Sequence, residues 1–194
     1  MQDFVHLHVH SEYSLLDGAA RIKKLVKEAH NQGMRAIAVT DHGNMYATIA
    51  LFDACNNLDK DYYKANKKPI IKPIFGTEFY VADNLYEKEG KPKLAHLIIL
   101  AKNEVGYKNL CKLNSIAFVD GFYYKPRIDY NVLREHSEGL ICLSACIAGD
   151  IPQAILKGDL EEAERIALML KDMFAEGDFY IEVQDHGLLD EKTV

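Results

Sequence analysis

Apolar, β-branched runs alternate along the chain with segments in which apolar residues recur at helical spacing. The β-branched runs predict strands at 4–10, 36–40, 70–81, 96–101, 140–145 and 178–184. The helical spacing predicts helices near 19–32, 46–58, 104–117, 150–157 and 159–175. In the last of these, Leu160, Ala163, Ile166 and Leu170 follow Asp159, a residue type that favours the N-cap position. This alternation predicts an α/β fold built on a parallel sheet or barrel.

Polar segments separate these elements. The lysine-rich stretch 59–72 and the stretch 83–93 are predicted to be exposed loops, and neither resembles a linker between domains. Pro73 and Gly76 are candidate break points within the predicted third strand. We therefore expect one domain over residues 1–194.

The composition of the chain restricts the classes of protein to which it can belong. With 194 residues, 48% hydrophobic and 27% charged, the chain has the profile of a soluble globular domain with a sizeable core. It has no apolar run near the roughly 20 residues that span a bilayer and no signal-peptide pattern, so we expect a cytoplasmic protein without a membrane partner. The four cysteines form no CxxC pair and are expected to be reduced. The net charge of −6 argues against a nonspecific nucleic-acid binder, but not against a nucleic-acid enzyme.

The first predicted strand carries three histidines at alternate positions. Because side chains repeat every two residues along a strand, His6, His8 and His10 are expected to project from one face. Imidazole is the commonest metal ligand in proteins, and two imidazoles at i and i+2 can bind one ion. The sequence therefore predicts a metal-binding face on this strand.

Further candidate ligands follow the other predicted strands. Asp17 lies in the loop after the first strand, Asp41-His42 follows the second, Glu78 lies near the end of the third, and Cys146 follows the fifth. In α/β barrels the chemistry gathers at the carboxyl ends of strands, so these groups are expected on one rim, where they suit Zn²⁺, Mn²⁺ or Fe and also allow Mg²⁺.

Some residues leave alternatives open. His96 begins its predicted strand, so the same logic places it on the opposite rim. Taken singly, a histidine can be a hydrogen-bonded core residue, Cys146 a small buried hydrophobe, Asp17-Gly18 a turn and Asp41 an N-cap. It is their joint occurrence that favours a metal site.

Several segments together resemble one family. They are His-Leu-His-Val-His-Ser-Glu-Tyr-Ser-Leu-Leu-Asp-Gly (6–18), Thr-Asp-His-Gly-Asn (40–44), Gly-Thr-Glu (76–78), His-Leu-Ile-Ile-Leu-Ala-Lys-Asn (96–103), Gly-Phe-Tyr-Tyr-Lys-Pro-Arg-Ile-Asp (121–129), Leu-Ser-Ala-Cys-Ile-Ala-Gly-Asp (143–150) and Tyr-Ile-Glu-Val-Gln-Asp-His-Gly (180–187). The resemblance is to the polymerase and histidinol phosphatase (PHP) domain at the N-terminus of bacterial DNA polymerase III alpha subunits, and it covers nearly the whole chain.

This resemblance implies a distorted (β/α)7, TIM-like barrel with up to three divalent metal ions at one rim. The residues that match the family's ligands are His8, His10, Asp17, His42, Glu78, His96 and Cys146. The resemblance favours His96 as a ligand, although its position at the start of a predicted strand would place it on the opposite rim. The family also has a late Asp-x-His motif, which this sequence does not contain. We therefore expect a PHP domain that lacks its last strand, without the polymerase domains.

The function that the resemblance implies is metal-dependent phosphoester hydrolysis in DNA replication, as a 3′-5′ exonuclease-type domain that serves proofreading. His6 and Asp41 are candidates for orienting the ligating imidazoles. Lys125 and Arg127, in an aromatic-rich loop, are candidates for binding substrate phosphates, although the same loop could simply pack on the barrel. The expected partners are DNA, the polymerase core of the same chain and the proofreading exonuclease subunit.

Two other functions remain in competition. The first is a catalytically weak scaffold that metal stabilises and that docks the proofreading subunit. The second is a free-standing small-molecule phosphatase such as histidinol phosphatase, against which the segment 121–129 argues because it resembles the polymerase family specifically.

Overall fold

The computed structural model describes residues 4–15 and 17–194. These residues divide into two compact units, the first ending at Thr77 and the second beginning at Glu78. The helices are α1 (Ile22–Asn31), α2 (Thr48–Leu58), α3 (Lys60–Asn66), α4 (Glu104–Val119), α5 (Tyr130–Glu135), α6 (Asp150–Leu156), α7 (Leu160–Met173) and a 3₁₀ turn at Asp190–Lys192. The strands are β1 (Ala36–Val39), β2 (Lys72–Val81), β3 (Ala95–Ala101), β4 (Arg127–Ile128), β5 (Leu140–Leu143) and β6 (Phe179–Tyr180). No described helix is both long and apolar enough to cross a membrane.

The first unit packs helices α1 and α2 against a short parallel pair of strands. Ile22, Val26 and Ala29 recur at helical spacing on the buried face of α1. They share a core with Ile37 of β1 and Leu51 of α2. The apolar periodicity of the sequence therefore identifies the face of α1 that packs in the core.

Strand β2 is continuous, although its sequence contains two residues that often interrupt strands. In the first unit it pairs in parallel with β1, and Pro73 lies opposite Ile37 within this register. The predicted break at Pro73 or Gly76 is wrong. Pro73 is the second residue of the strand and so lies close to the strand start, where proline is usually found in sheets.

The histidine-bearing segment 4–10 is not the regular strand that the sequence predicts. The chain bends at His8, and the segment contacts β1 through two hydrogen bonds, from the Ala38 amide to the His6 carbonyl (3.0 Å) and from the Thr40 amide to the Val9 carbonyl (2.8 Å). The accepting residues are three apart, whereas a regular strand pairs at every second residue. The bend therefore interrupts the ladder.

The second unit mixes parallel and antiparallel pairing. Strand β2 pairs in parallel with β4, and β5 pairs in parallel with β6. Strand β3, however, pairs antiparallel with β5, with Ile98 opposite Leu143. The prediction of an all-parallel arrangement is therefore wrong, whereas the mixed α/β architecture is confirmed. The described part of the chain has six strands, so the (β/α)7 barrel itself is not confirmed.

Two short helices lie where the sequence analysis placed none. Helix α3 occupies the predicted loop 59–72, and its first turn is capped by the Asp59 carboxylate, which accepts hydrogen bonds from the Asp61 and Tyr62 amides. Helix α5 is capped in the same way by Asp129. Both helices lack a strong apolar stripe, so the aspartate cap was the sequence signal that could have located them.

The four cysteines are free thiols, as the sequence predicts. Cys55 and Cys142 are buried among apolar side chains, and burial raises the pKa of the Cys55 thiol to about 12. These two cysteines are therefore core residues.

Candidate metal centre

Three side chains of the first unit bring ligand atoms together. His10 Nδ1 lies 3.1 Å from Asp17 Oδ2, and His42 Nε2 lies 2.8 Å from the same oxygen. The centroids of the two imidazole rings are 4.1 Å apart. One ligand atom from each of the three residues lies within 4.8 Å of the others. Two imidazoles and a carboxylate form a donor set that fits Zn²⁺, Mn²⁺ or Fe²⁺.

His8 lies beside this group, and His6 does not. The ring centroids of His8 and His10 are 5.2 Å apart, so the alternating spacing places both imidazoles on one side of the chain despite the bend. His6 is exposed, and its ring packs edge-to-face against Phe4 with centroids 4.8 Å apart. These contacts are those of a histidine packed at the surface.

Asp41 is buried and organises the loop that carries Asp17. Its Oδ1 accepts hydrogen bonds from the Ser11 amide (2.6 Å) and the Ser14 hydroxyl (2.8 Å), and its Oδ2 accepts one from the Ser11 hydroxyl (2.7 Å). The Ser14 hydroxyl oxygen in turn accepts a hydrogen bond from the His42 amide (3.1 Å). The sequence marks Asp41 as a candidate for orienting the ligating imidazoles. In the structure, Asp41 contacts the segments that carry Asp17 and His42 through these two serines.

The same loop closes tightly at Gly18. The amides of Asp17 and Gly18 both donate to the Ser14 carbonyl, at 3.0 and 2.8 Å. A Cβ atom at position 18 would lie 1.8 Å from the Ser11 carbonyl oxygen. Only glycine fits this close approach of two backbone segments, so the Asp17-Gly18 turn has a structural role whether or not Asp17 binds a metal ion.

The electrostatics of the first group favour a charged carboxylate. Partial burial raises the pKa of Asp17, but the hydrogen bonds and charges of His42 and His10 outweigh burial and hold the pKa below its ordinary value. An ionised Asp17 is the form that binds a cation.

A second group lies in the second unit and consists of Glu78, His96 and Cys146. His96 Nδ1 lies 2.9 Å from Glu78 Oε1 and 3.6 Å from Cys146 Sγ, and the Cys146 thiol lies 4.0 Å from Glu78 Oε1. Glu78 is 1% exposed. Just before Cys146, Ala145 adopts the left-handed backbone conformation (φ 65°), which turns the chain sharply after β5. Oxygen, nitrogen and sulfur donors in one cluster are a set that zinc and iron accept.

The antiparallel direction of β3 explains how His96 reaches this group. His96 is the second residue of β3, and Cys146 follows the end of β5. In an antiparallel pair the start of one strand lies beside the end of the other, so both residues lie at the same edge. In a fully parallel sheet the start of β3 would lie on the opposite rim, which is where the sequence predicted His96.

Burial and the neighbouring groups act in opposite directions on His96. Burial lowers the pKa of its imidazole, but the hydrogen bonds and charges of Cys146 and Glu78 outweigh this and raise it to about 9. In the absence of a cation, the proton on His96 compensates the buried Glu78 carboxylate.

The two predicted phosphate-binding residues have different surroundings. Arg127 is 2% exposed, and its guanidinium donates to three carbonyls, those of Gly121 (2.9 Å), Leu85 (3.0 Å) and Glu87 (2.9 Å). This burial contradicts a direct substrate contact for Arg127, which holds the surrounding loops together instead.

Lys125 remains available at the surface of the second unit. It is half-buried, and its Nζ lies 5.4 Å from the centroid of the Tyr80 ring. Tyr80 in turn meets the His96 ring in a T-shaped contact, with centroids 5.3 Å apart. Tyr80, Ser11 and Ser14 could not be predicted from the sequence, because they contact the site through other residues and match no ligand pattern.

Comparison with known proteins identifies the family. The PHP domain matches residues 6–186. The DNA polymerase III subunit alpha of Borreliella burgdorferi is 49% identical over 98% of this chain, and those of Treponema pallidum and Helicobacter pylori (strain J99) are 46% and 45% identical over the same share. The chain spans 16% of the length of each of these relatives. A solved amidohydrolase from Chromobacterium violaceum aligns at 12% identity, with a TM-score of 0.41, over 91% of this chain and 84% of its own. The chain, with its match over nearly all described residues, belongs to the PHP domain family.

Proposed function

We propose that this PHP domain is a metal-dependent phosphoesterase that acts as a 3′-5′ exonuclease on DNA. The observation that carries the proposal is the convergence of His10, Asp17 and His42, whose ligand atoms lie within 4.8 Å of one another. Two imidazoles and a carboxylate with ligand atoms this close together form a donor set that binds divalent cations.

All seven predicted ligands are assigned to divalent metal ions in this proposal. They are His8, His10, Asp17 and His42 in the first unit and Glu78, His96 and Cys146 in the second. Up to three ions, of Zn, Mn, Mg or Fe, fit the nitrogen, oxygen and sulfur donors of these groups. When bound, such ions lower the pKa of water, orient the scissile phosphate and neutralise the leaving oxygen.

The remaining residues of the chain hold the ligands and the substrate. Asp41, through Ser11 and Ser14, keeps the backbone around Asp17 and His42 in place. Lys125 supplies a positive charge beside Tyr80 and attracts a phosphate of the substrate. Arg127 takes no part in this contact because its donors are directed to backbone carbonyls.

The wider setting of the domain follows from its relatives. Because polymerase alpha subunits match almost the whole chain but are about six times longer, we propose that the domain works within such a subunit in the bacterial cytoplasm. Its partners are then DNA, the polymerase core of the same polypeptide and the proofreading exonuclease subunit.

A nuclease assay with a matched pair of histidine variants tests the proposal. His10→Ala removes a ligand, whereas His30→Ala removes an exposed histidine at the end of α1 that lies outside the metal groups. With Mn²⁺ or Zn²⁺ present, we expect the wild type and His30→Ala to release nucleotides from the 3′ end of a labelled oligonucleotide. We expect His10→Ala to lose this activity and part of its bound metal, measured by elemental analysis.

The assay also separates the competing functions. Undiminished nuclease activity in His10→Ala would exclude this site as its source. A wild type that binds metal and gains stability but hydrolyses no DNA would favour the scaffold. Hydrolysis of histidinol phosphate without hydrolysis of DNA would instead indicate a small-molecule phosphatase.

A further inference from the structure

A tight turn in the second unit presents one tyrosine to solvent in a strained conformation. The Tyr123 amide donates to the Lys125 carbonyl (3.1 Å), which closes the turn around Tyr124. Tyr124 has a φ of 60° and is 72% exposed. A bulky residue rarely adopts this left-handed conformation, and when it does the surrounding structure must hold it there.

The structure that holds the turn is the buried Arg127. Its guanidinium carbon lies 5.2 Å from the centroid of the Tyr123 ring, while its nitrogens donate to the three carbonyls described above. The Tyr123 hydroxyl donates to the Gly90 carbonyl (2.9 Å), and the Tyr123 and Tyr124 rings meet edge-to-face at 4.6 Å. The turn is therefore a rigid support for an exposed aromatic ring.

The next residue connects the turn to the second ligand group. Lys125 lies over Tyr80, and the Tyr80 ring contacts His96, so a cation and an exposed aromatic ring follow each other beside a predicted metal ligand. The ring of Tyr80 fixes where the flexible lysine side chain places its charge.

We propose that the turn Tyr123–Lys125 is a recognition platform for single-stranded nucleic acid. The Tyr124 ring stacks on an unpaired base, Lys125 binds the adjoining phosphate, and Tyr80 is a positioning residue for Lys125. Stacking on an exposed ring requires an unpaired base, and stacking next to a positive charge is the pattern by which proteins bind single strands with little sequence preference. The inference rests on the proposed function, because it assigns the substrate class of the same site.

Binding measured without hydrolysis tests the platform independently of catalysis. The 194-residue chain is titrated into a 5′-fluorescein oligo-dT strand in EDTA, and binding is followed by fluorescence anisotropy. Tyr124→Asn removes the ring but keeps a residue that tolerates the left-handed conformation, and Tyr124→Phe keeps the stacking surface. We expect Tyr124→Asn to weaken binding about tenfold or more and Tyr124→Phe to bind like the wild type.

The proposed contact between Lys125 and a phosphate is tested separately, by the salt dependence of binding. We expect Lys125→Ala to weaken binding and to reduce the dependence of the logarithm of affinity on the logarithm of salt concentration by about 0.7, the loss of one phosphate contact on a single strand. Tyr80→Leu is expected to act in the same direction, whereas Tyr80→Phe keeps the ring and is expected to retain binding. Lys112→Ala, at an exposed position on α4, and Phe52→Ala, an exposed aromatic in the first unit, are the matched controls.

Each outcome decides the proposal. It is overturned if the wild type does not bind the strand, if duplex DNA binds as tightly as the single strand, or if Tyr124→Asn and Lys125→Ala bind like the wild type while circular dichroism shows that all variants are folded. If the wild type binds as expected but releases no nucleotides with Mn²⁺, the platform is supported and the phosphoesterase function fails. Unimpaired hydrolysis of DNA by both variants would support the phosphoesterase and reject the platform.

Discussion

At the scale of single residues, the sequence predicts which candidate ligands come close together, but it does not predict the residues that support them. His8 and His10 share one side of the chain because alternate positions do so in any extended segment. The role of Asp41 depends on Ser11 and Ser14, some thirty residues away, and this contact exists only in the folded chain. Arg127 was predicted to bind phosphate because of its residue type, but in the folded chain it is buried and donates to backbone carbonyls.

Ser14 offers a test of this supporting role. Its hydroxyl donates to Asp41 and accepts from the His42 amide, so Ser14→Ala breaks both contacts and leaves a buried carboxylate with fewer donors. We expect the affinity for Zn²⁺ or Mn²⁺, measured by isothermal titration calorimetry, to fall about 10- to 100-fold.

Ser115→Ala is the matched control for this variant. Its hydroxyl donates to the Cys111 carbonyl on the exposed side of α4, and we expect its metal affinity to equal that of the wild type. Equal affinities for Ser14→Ala and the wild type would show that Asp41 does not support the ligands through this serine.

At the scale of elements, helix positions follow from local patterns and strand directions do not. Helix α7 begins one residue after Asp159, whose carboxylate caps the Glu162 amide, as the sequence predicts. The direction of β3 is set by its pairing with β5, about forty residues later. Apolar periodicity is the same for a strand that runs in either direction, so the position of His96 could not be predicted from the sequence.

The start of α4 provides a prediction at this scale. A Cβ atom at Gly106 would lie 1.7 Å from the Gly139 carbonyl oxygen, and Gly139 is itself in the left-handed region (φ 70°) beside the capping Asn103. The atoms that this Cβ would meet belong to the Gly139 backbone and cannot rotate away. Gly106→Ala must therefore separate α4 from the segment before β5. We expect it to lower the free energy of unfolding by about 1–3 kcal/mol, although alanine normally favours a helix.

Urea unfolding followed by circular dichroism measures this change. Lys112→Ala, at an exposed position of the same helix, is expected to leave the midpoint nearly unchanged. A Gly106→Ala variant as stable as this control would mean that the close approach to Gly139 is easily relieved.

At the scale of the whole molecule, metal binding and folding are expected to be linked. Asp17 and Glu78 carry negative charge that histidines compensate in the structure, and a cation that binds only the folded chain stabilises it further. At a free metal concentration 100 times the dissociation constant, the stabilisation is about 2.7 kcal/mol.

Differential scanning calorimetry tests this linkage. We expect the melting temperature of the wild type and of His30→Ala to rise by several degrees with Zn²⁺ or Mn²⁺ and to return to its starting value with EDTA. The rise should be smaller for His10→Ala. A melting temperature that responds to neither the metal nor the chelator would contradict metal binding by the native chain.

The sequence by itself determined the helices with strong apolar stripes, the alternating imidazoles and membership of the PHP family, because each of these depends on residue types at short or ordered spacings. Only the tertiary structure decided that His96 meets Cys146, that Asp41 acts through serines and that Arg127 braces the turn below Tyr124. These contacts join residues distant along the chain, and they depend on strand direction and burial, which local patterns do not encode.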